Sequence, residues 1–203
     1  MTSPYINTKL FTSISLRPDQ MDNKIYINLK KNLENKLLKK CYKNYGYISN
    51  IYKILDYDDG MVEAENLRGS AIFDISFSCK LCRPLKQTQI ICQIHRANKL
   101  LVTAVNGPIQ VIISHDRMSD NFRTDYNNTL TYKKDGVSTS LEPGDFVKVT
   151  ILSITFSHND IVIKSIGYLD NIATDDEIKQ FYNDEYNTND DQIDYNEYIK
   201  TAE

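Results

Sequence analysis

The stretch Gly69-Ser70-Ala71-Ile72-Phe73-Asp74-Ile75-Ser76-Phe77-Ser78-Cys79-Lys80-Leu81-Cys82-Arg83-Pro84 constrains this chain more than any other. A glycine opens it, a proline closes it, and positions 73, 75, 77, 79 and 81 are apolar at a period of two. That spacing predicts one long, half-buried strand. Proline ends it by removing a ladder donor. It reads as one long strand, the axis of the chain, leading into a second module.

Before the axis, Lys9 to Leu16 reads as a first strand, broken by Arg17-Pro18-Asp19. From Met21 to Cys41 apolar residues recur every four at Ile25, Leu29, Leu33, Leu37 and Cys41, which predicts a helix with one buried stripe and a lysine-rich opposite face. Gly46 to Tyr57 reads as a strand, and Asp58-Asp59-Gly60 as a hairpin turn into Met61 to Ala64. Strand, helix and three further strands make an α+β layer, a small antiparallel sheet with one helix on a face.

After Thr88 only short strands follow: Ile90 to Arg96, Leu100 to Val105, Ile109 to Ile113, Phe146 to Phe156 and Ile161 to Ile166. Residues 114 to 143 are polar and turn-rich, with a short helix expected around Asp116 to Phe122. Five strands with a polar excursion after the third fit a partly open all-β barrel, the OB fold of the ribosomal-S1 type. Beyond Gly167 the pattern decays, and the segment reads as a partly disordered acidic extension in which Ile178, Phe181 and Tyr182 form at most a turn or two of helix. The expected domains are 1–84, 85–170 and 171–203.

Net charge divides along the same line. Residues 171–203 hold ten acidic residues and two lysines, while residues 1–170 hold 22 basic and 17 acidic ones, so a body of +5 carries a tail of −8. A mildly basic body suits contact with nucleic acid among other partners. No apolar run approaches the roughly 20 residues of a membrane span, and the first twelve residues do not read as a signal peptide. An intracellular protein is expected. Heavy use of Ile, Asn, Lys and Tyr suggests an AT-rich genome, as in a large DNA virus or a protist.

Catalysis has no foothold: the sequence contains no Gly-x-Ser-x-Gly elbow, HExxH, P-loop or Gly-x-Gly-x-x-Gly. No catalytic residue, cofactor or metal is expected. The sharpest competitor is Cys79-x-x-Cys82 with Cys92-x-x-His95, four ligand types suited to zinc. On a strand, however, residues i and i+3 point to opposite faces, and a chelating turn is missing. Buried cysteines acting as small apolar side chains are the simpler reading. An OB barrel binds single strands with aromatic and basic residues around its second and third strands. Here that surface would draw on Arg96, Lys99, His115, Arg117, Phe122, Arg123, Tyr126, Lys133 and Lys134.

The ordered local matches Ile14-Ser15-Leu16-Arg17-Pro18, Gly46-Tyr47-Ile48, Gly69-Ser70-Ala71 with Phe73, Phe77 and Arg83-Pro84, Gly107-Pro108, Glu142-Pro143-Gly144-Asp145-Phe146-Val147-Lys148-Val149 and Ile166-Gly167 resemble a known family. It is the stalk subunit of multisubunit DNA-directed RNA polymerases, subunit seven of the RNA polymerase II type and its archaeal counterpart. The likeness covers about residues 1–170, with Gly167 standing where the family's last strand ends. It departs after Gly167, where the family's short acidic segment closing with Leu-Gly is replaced by the acidic tail, and in the polar excursion from Asp125 to Leu141. The resemblance implies a noncatalytic subunit whose N-terminal tip docks on the polymerase core through Asp56, Asp58, Asp59, Gly60 and Gly69. It further implies a barrel beside the emerging RNA, a smaller helical stalk partner, and a place in the virion and host cytoplasm if viral, or in the nucleus if cellular and eukaryotic. A free-standing OB-fold RNA-binding factor of translation type is the alternative, and it leaves the N-terminal layer without a task.

Overall fold

A computed structural model describes residues 3–64, 68–98, 100–124, 130–134 and 137–186. Its axis is the expected strand. In the first layer, strand β1 (Tyr5–Leu16) leads through a 3-10 turn at Pro18–Gln20 to helix α1 (Ile25–Leu37), then to β2 (Cys41–Tyr42), β3 (Gly46–Tyr57), β4 (Met61–Val62) and β5 (Ala71–Cys82). The sheet order is β1-β5-β3-β2. β5 is antiparallel to β1 along its whole length, from Tyr5 opposite Cys82 to Leu16 opposite Ala71. Phe73, Ile75, Phe77, Cys79 and Leu81 are buried on one face of β5. Leu29, Leu33 and Leu37 of α1 close over that face, each contributing roughly 1.5–3 kcal/mol by burial.

The helix and Tyr42 of β2 also seal the free edge of β1. Asn32 Nδ2 donates to the Ser15 carbonyl at 3.1 Å, Lys36 Nζ to Ser13 at 2.8 Å, and the Tyr42 hydroxyl to Phe11 at 3.0 Å. Four helical residues rise about 6 Å and two strand residues about 6.6 Å, so donors at i and i+4 on the helix meet carbonyls at i and i−2 on an antiparallel strand. An edge that would otherwise present unpaired carbonyls is thereby covered.

Two sequence expectations fail in this layer. The helix stops at Leu37 instead of Cys41, because Leu38 is extended and Lys39 takes φ +60°. Cys41 has stronger claims elsewhere: its N–H donates to the Asp160 carbonyl at 2.7 Å and its carbonyl accepts from Asn159 N at 2.8 Å. Nor is Asp58-Asp59-Gly60 a hairpin turn. β3 pairs with β5 as far as Tyr57 opposite Ile75, and β4 takes up the same edge at Met61 opposite Ile72, so the turn joins two collinear segments.

Beyond β5, strands β6 (Gln89–Ala97), β7 (Leu101–Asn106) and β8 (Ile109–Ser114) form a meander, and a 3-10 turn at His115–Arg117 follows. Next come β9 (Phe122–Thr124), β10 (Leu130–Lys134), β11 (Val137–Leu141), β12 (Phe146–Thr155) and β13 (Ile163–Ile172). Strands β12-β13-β8-β7-β6 close into a barrel, with β13 parallel to β8 and β12 antiparallel to β6. The barrel is therefore closed where the sequence suggests a partly open one. The expected polar excursion holds a three-stranded sheet, β9-β10-β11; its buried Phe122, Leu130, Tyr132 and Leu141 join the barrel core, whereas its polar composition hides the strand pattern. The last strand does not end at Gly167. It continues to Ile172, and helix α2 (Asp175–Tyr186) follows, held to the barrel by Phe181 and, at its first turn, by the Lys148–Glu177 ion pair.

The two parts keep separate cores and meet at one end of the barrel. Cys41 and Cys82 are buried with the barrel interior, and Tyr5 and Tyr47 pack against it. The Lys43 N–H donates to His158 Nδ1 at 3.2 Å, and the His158 ring meets Tyr42 edge-on. At Gly46, φ is +142° and a Cβ would lie 2.6 Å from the Cys82 carbonyl oxygen, so the turn into β3 needs glycine.

A candidate nucleic-acid interface

Strand directions decide where the basic candidates stand. β8 and β13 run parallel, and β7 and β12 run against them. The β6–β7 turn, the end of β8, the start of β12 and the end of β13 therefore lie at one end of the barrel. The β7–β8 turn and the β12–β13 turn lie at the other, where Asn159 and Asp160 bond to Cys41 of the N-terminal layer. One barrel end is covered by that layer, and the far end is left to the excursion and α2.

Arg96 is exposed near the far end of β6, and His115 and Arg117 are exposed in the 3-10 turn that follows β8. Backbone bonds tie these segments together: His115 N donates to Leu100 O at 3.3 Å, and Ser119 N to Leu169 O at 3.0 Å. Arg123 and Lys133 are exposed on β9 and β10, with Arg123 opposite Thr131. Lys134 closes β10. Lys99 and Tyr126 lie outside the described residues. The fold thus gathers Arg96, His115, Arg117, Arg123 and Lys133 at the far end, none in an ion pair among the described residues. Exposed Asp116, Asp120 and Glu142 stand among them, so the field is mixed.

Phe122 is a correction. It is buried at 4% exposure with its ring 4.9 Å from that of Tyr132, so it anchors the excursion and cannot stack on a base. Nor do the outward residues of β7 and β8 offer aromatic platforms; Leu101 and Ile112 are the exposed apolar side chains there.

The reading of the sequence misses α2 as a structural part of this end. Lys148 and the Thr174 N–H and hydroxyl all donate to the Glu177 carboxylate, holding it down to about 2 from an ordinary 4.5. Thr174 followed three residues later by Glu177 is a capping signature that was available in the sequence. Thr150 and Gln89 both donate to Asp170, fixing the strands beneath.

On the N-terminal layer, Asp56 is the penultimate residue of β3, and Asp58, Asp59 and Gly60 form the exposed link to β4. Asp58 N donates to the Asp74 carbonyl at 3.0 Å. Gly60 lies so close over Phe73 that a Cβ would stand 2.5 Å from the ring. Gly69, two residues before β5, has φ +64° and lies beside Pro18. Gly60 and Gly69 lie by the Ala71 end of β5, whereas Asp56 and Asp58 line one cleft with His158 of the β12–β13 turn.

The cysteines divide between two interiors. Cys79 belongs to the layer core, and Cys41, Cys82 and Cys92 to the barrel cluster, while His95 is exposed. Burial pushes the Cys79 thiol up to about 12 and raises Cys92 as well. For Cys41 burial and then the Asp160 carboxylate push it up to about 11. Such thiols are neither ready metal ligands nor nucleophiles. No group of three or more candidate ligands comes together among the described residues.

Compared with known proteins, the chain is 35% identical over 184 residues to a protein of Acanthamoeba polyphaga mimivirus provisionally named DNA-directed RNA polymerase subunit L376, covering 90% of each. It is 22% identical over 138 residues to DNA-directed RNA polymerase II subunit RPB7 of Glycine max, covering 66% of this chain and 77% of the plant protein. No family model matches.

Proposed function

Because this chain belongs to the family of stalk subunits of DNA-directed RNA polymerases, we propose that it serves transcription without performing chemistry, as a noncatalytic subunit that docks on the polymerase core at one end and meets RNA at the other. The observation that carries this reading is the match over nine-tenths of both chains, combined with two surfaces, one on the N-terminal layer and one at the barrel end that the layer leaves uncovered. The barrel order β6-β7-β8-β13-β12, in which β8 and β13 pair in parallel, supports an OB fold of the ribosomal-S1 type. Residues 1–84 would then be the tip domain, 85–170 the RNA-binding barrel and 171–203 the acidic extension.

Asp56, Asp58, Asp59, Gly60 and Gly69 form the core-docking surface in this reading. Arg96, His115, Arg117, Arg123 and Lys133, with Lys99, Tyr126 and Lys134, form the RNA surface. Mixed charge and few stacking rings predict weak, sequence-tolerant binding, made useful by tethering beside the RNA exit path. A smaller helical partner would complete the stalk, and the setting is that of a large DNA virus, in the virion and the host cytoplasm.

Affinity purification of tagged protein from infected cells, with mass spectrometry of its companions, tests this. Large polymerase subunits are expected, and Asp58→Lys with Asp59→Lys should lose them, while Arg117→Gln with Arg123→Gln should keep them. Recovery of free or ribosomal RNA without polymerase would overturn it.

A further inference from the structure

Between positions 22 and 43 the chain carries seven lysines against two acidic residues, Asp22 and Glu34, a net of +5 on α1 and the segment leaving it. The fold engages Lys36 at the β1 edge and sets Lys43 Nζ 5.1 Å from the Tyr42 ring centroid. Lys24, Lys31 and Lys39 are exposed and Lys40 half-buried, and none has an ion pair among the described residues. Lys24 and Lys31 lie on the stripe opposite Leu29, Leu33 and Leu37, and Lys39 and Lys40 extend the charge past the helix end. In the β2–β3 turn Tyr45, 44% exposed, is stacked on Tyr42, the ring that Lys43 covers, with ring centroids 5.9 Å apart.

We infer that this face of α1, together with Tyr45, is a second polyanion-binding surface that takes the backbone of single-stranded RNA. Like charge held unpaired on one face is compensated when phosphates replace its counterions. This stretch contains no arginine, and lysines meet phosphates as point charges, a mode that tracks a backbone without fixing one geometry. A ring flanked by cations is the arrangement on which a base stacks. The surface lies on the N-terminal layer, away from the far barrel end, and the inference goes beyond the function proposed above without depending on it.

The test is fluorescence anisotropy of a labelled 20-nucleotide oligouridine with the full chain, repeated across a salt series. Replacing Lys24→Gln, Lys31→Gln and Lys39→Gln together should lower the slope of log K against log salt by about 2, from three contacts at roughly 0.7 each. The corresponding triple Lys→Arg variant should keep the slope, which separates charge from misfolding. Tyr45→Ala should weaken binding about fivefold, the lower bound for one stacked base, with the slope unchanged. An unchanged slope in the glutamine variant would overturn the inference. So would competition by oligoglutamate as effective as that of RNA at equal charge, which would assign the face to an acidic protein. Arg96→Gln, Arg117→Gln, Arg123→Gln and Lys133→Gln together report separately on the barrel end, so either surface can fail alone.

Discussion

Gly167 offers the sharpest test of the closed barrel. It sits inside β13 opposite Ile151, buried, and a Cβ there would stand 2.5 Å from Val149 Cγ1, 2.6 Å from Val111 Cγ1 and 3.3 Å from the Thr150 carbonyl oxygen. Carbon atoms pack at about 3.5–4.0 Å, so in Gly167→Ala each valine methyl must retreat by about 1 Å. Both belong to β-branched side chains with few alternative rotamers, on strands that flank β13 from either side. Overpacking of this kind costs about 1–3 kcal/mol, and two stiff neighbours argue for the upper end. Relief of glycine's backbone entropy returns about 0.5–1 kcal/mol, leaving a net loss of about 2 kcal/mol. For a chain of this length that lowers Tm by roughly 4–8 °C. Thermal and urea unfolding of Gly167→Ala measure it, and the double variant with Val111→Ala should be less destabilised than the two single effects summed. An alanine variant as stable as the parent, or strict additivity with Val111→Ala, would refute the close approach of β8, β12 and β13.

Two further outcomes follow from the same geometry. Tyr42→Phe removes the donor to the Phe11 carbonyl and should cost about 1 kcal/mol in urea unfolding, with Asn32→Leu behaving alike, if the edge of β1 is sealed as described. Glu177 has a depressed carboxyl, so its contribution is present above its ordinary value of 4.5 and is lost as pH falls toward about 2. Protection factors of the α2 amides, referred to intrinsic exchange at each pH, should therefore fall across that interval, and Glu177→Gln should remove that fall; identical protection profiles for the two proteins would deny the cap.

What could be read from the sequence was most of what local periodicity carries, though not where the α1 stripe stops or what the Asp58-Asp59-Gly60 turn joins. β5 and β3 follow from alternation between punctuating residues, α1 from its leucine stripe, and the barrel meander from short apolar runs separated by Asn and Gly. These signals are local because each strand or helix must bury one face whatever it packs against. The basic candidates were legible as residue types. Their gathering at one barrel end was not, since it depends on strand direction and on the parallel pairing of β13 with β8.

Tertiary structure alone decided the rest. Cys41 fits the helical stripe by spacing, yet two backbone hydrogen bonds to Asn159 and Asp160 draw it into a strand, because buried backbone groups must be paired. Gly167 looks like a terminus in sequence and proves to be the point where three strands crowd too closely for any side chain. The excursion reads as loop because its strands are polar outside, and only the burial of Phe122, Leu130, Tyr132 and Leu141 against the barrel fixes them. Sequence by itself determined which segments could form strands and helices; long-range pairing determined which of their edges, ends and charges would meet.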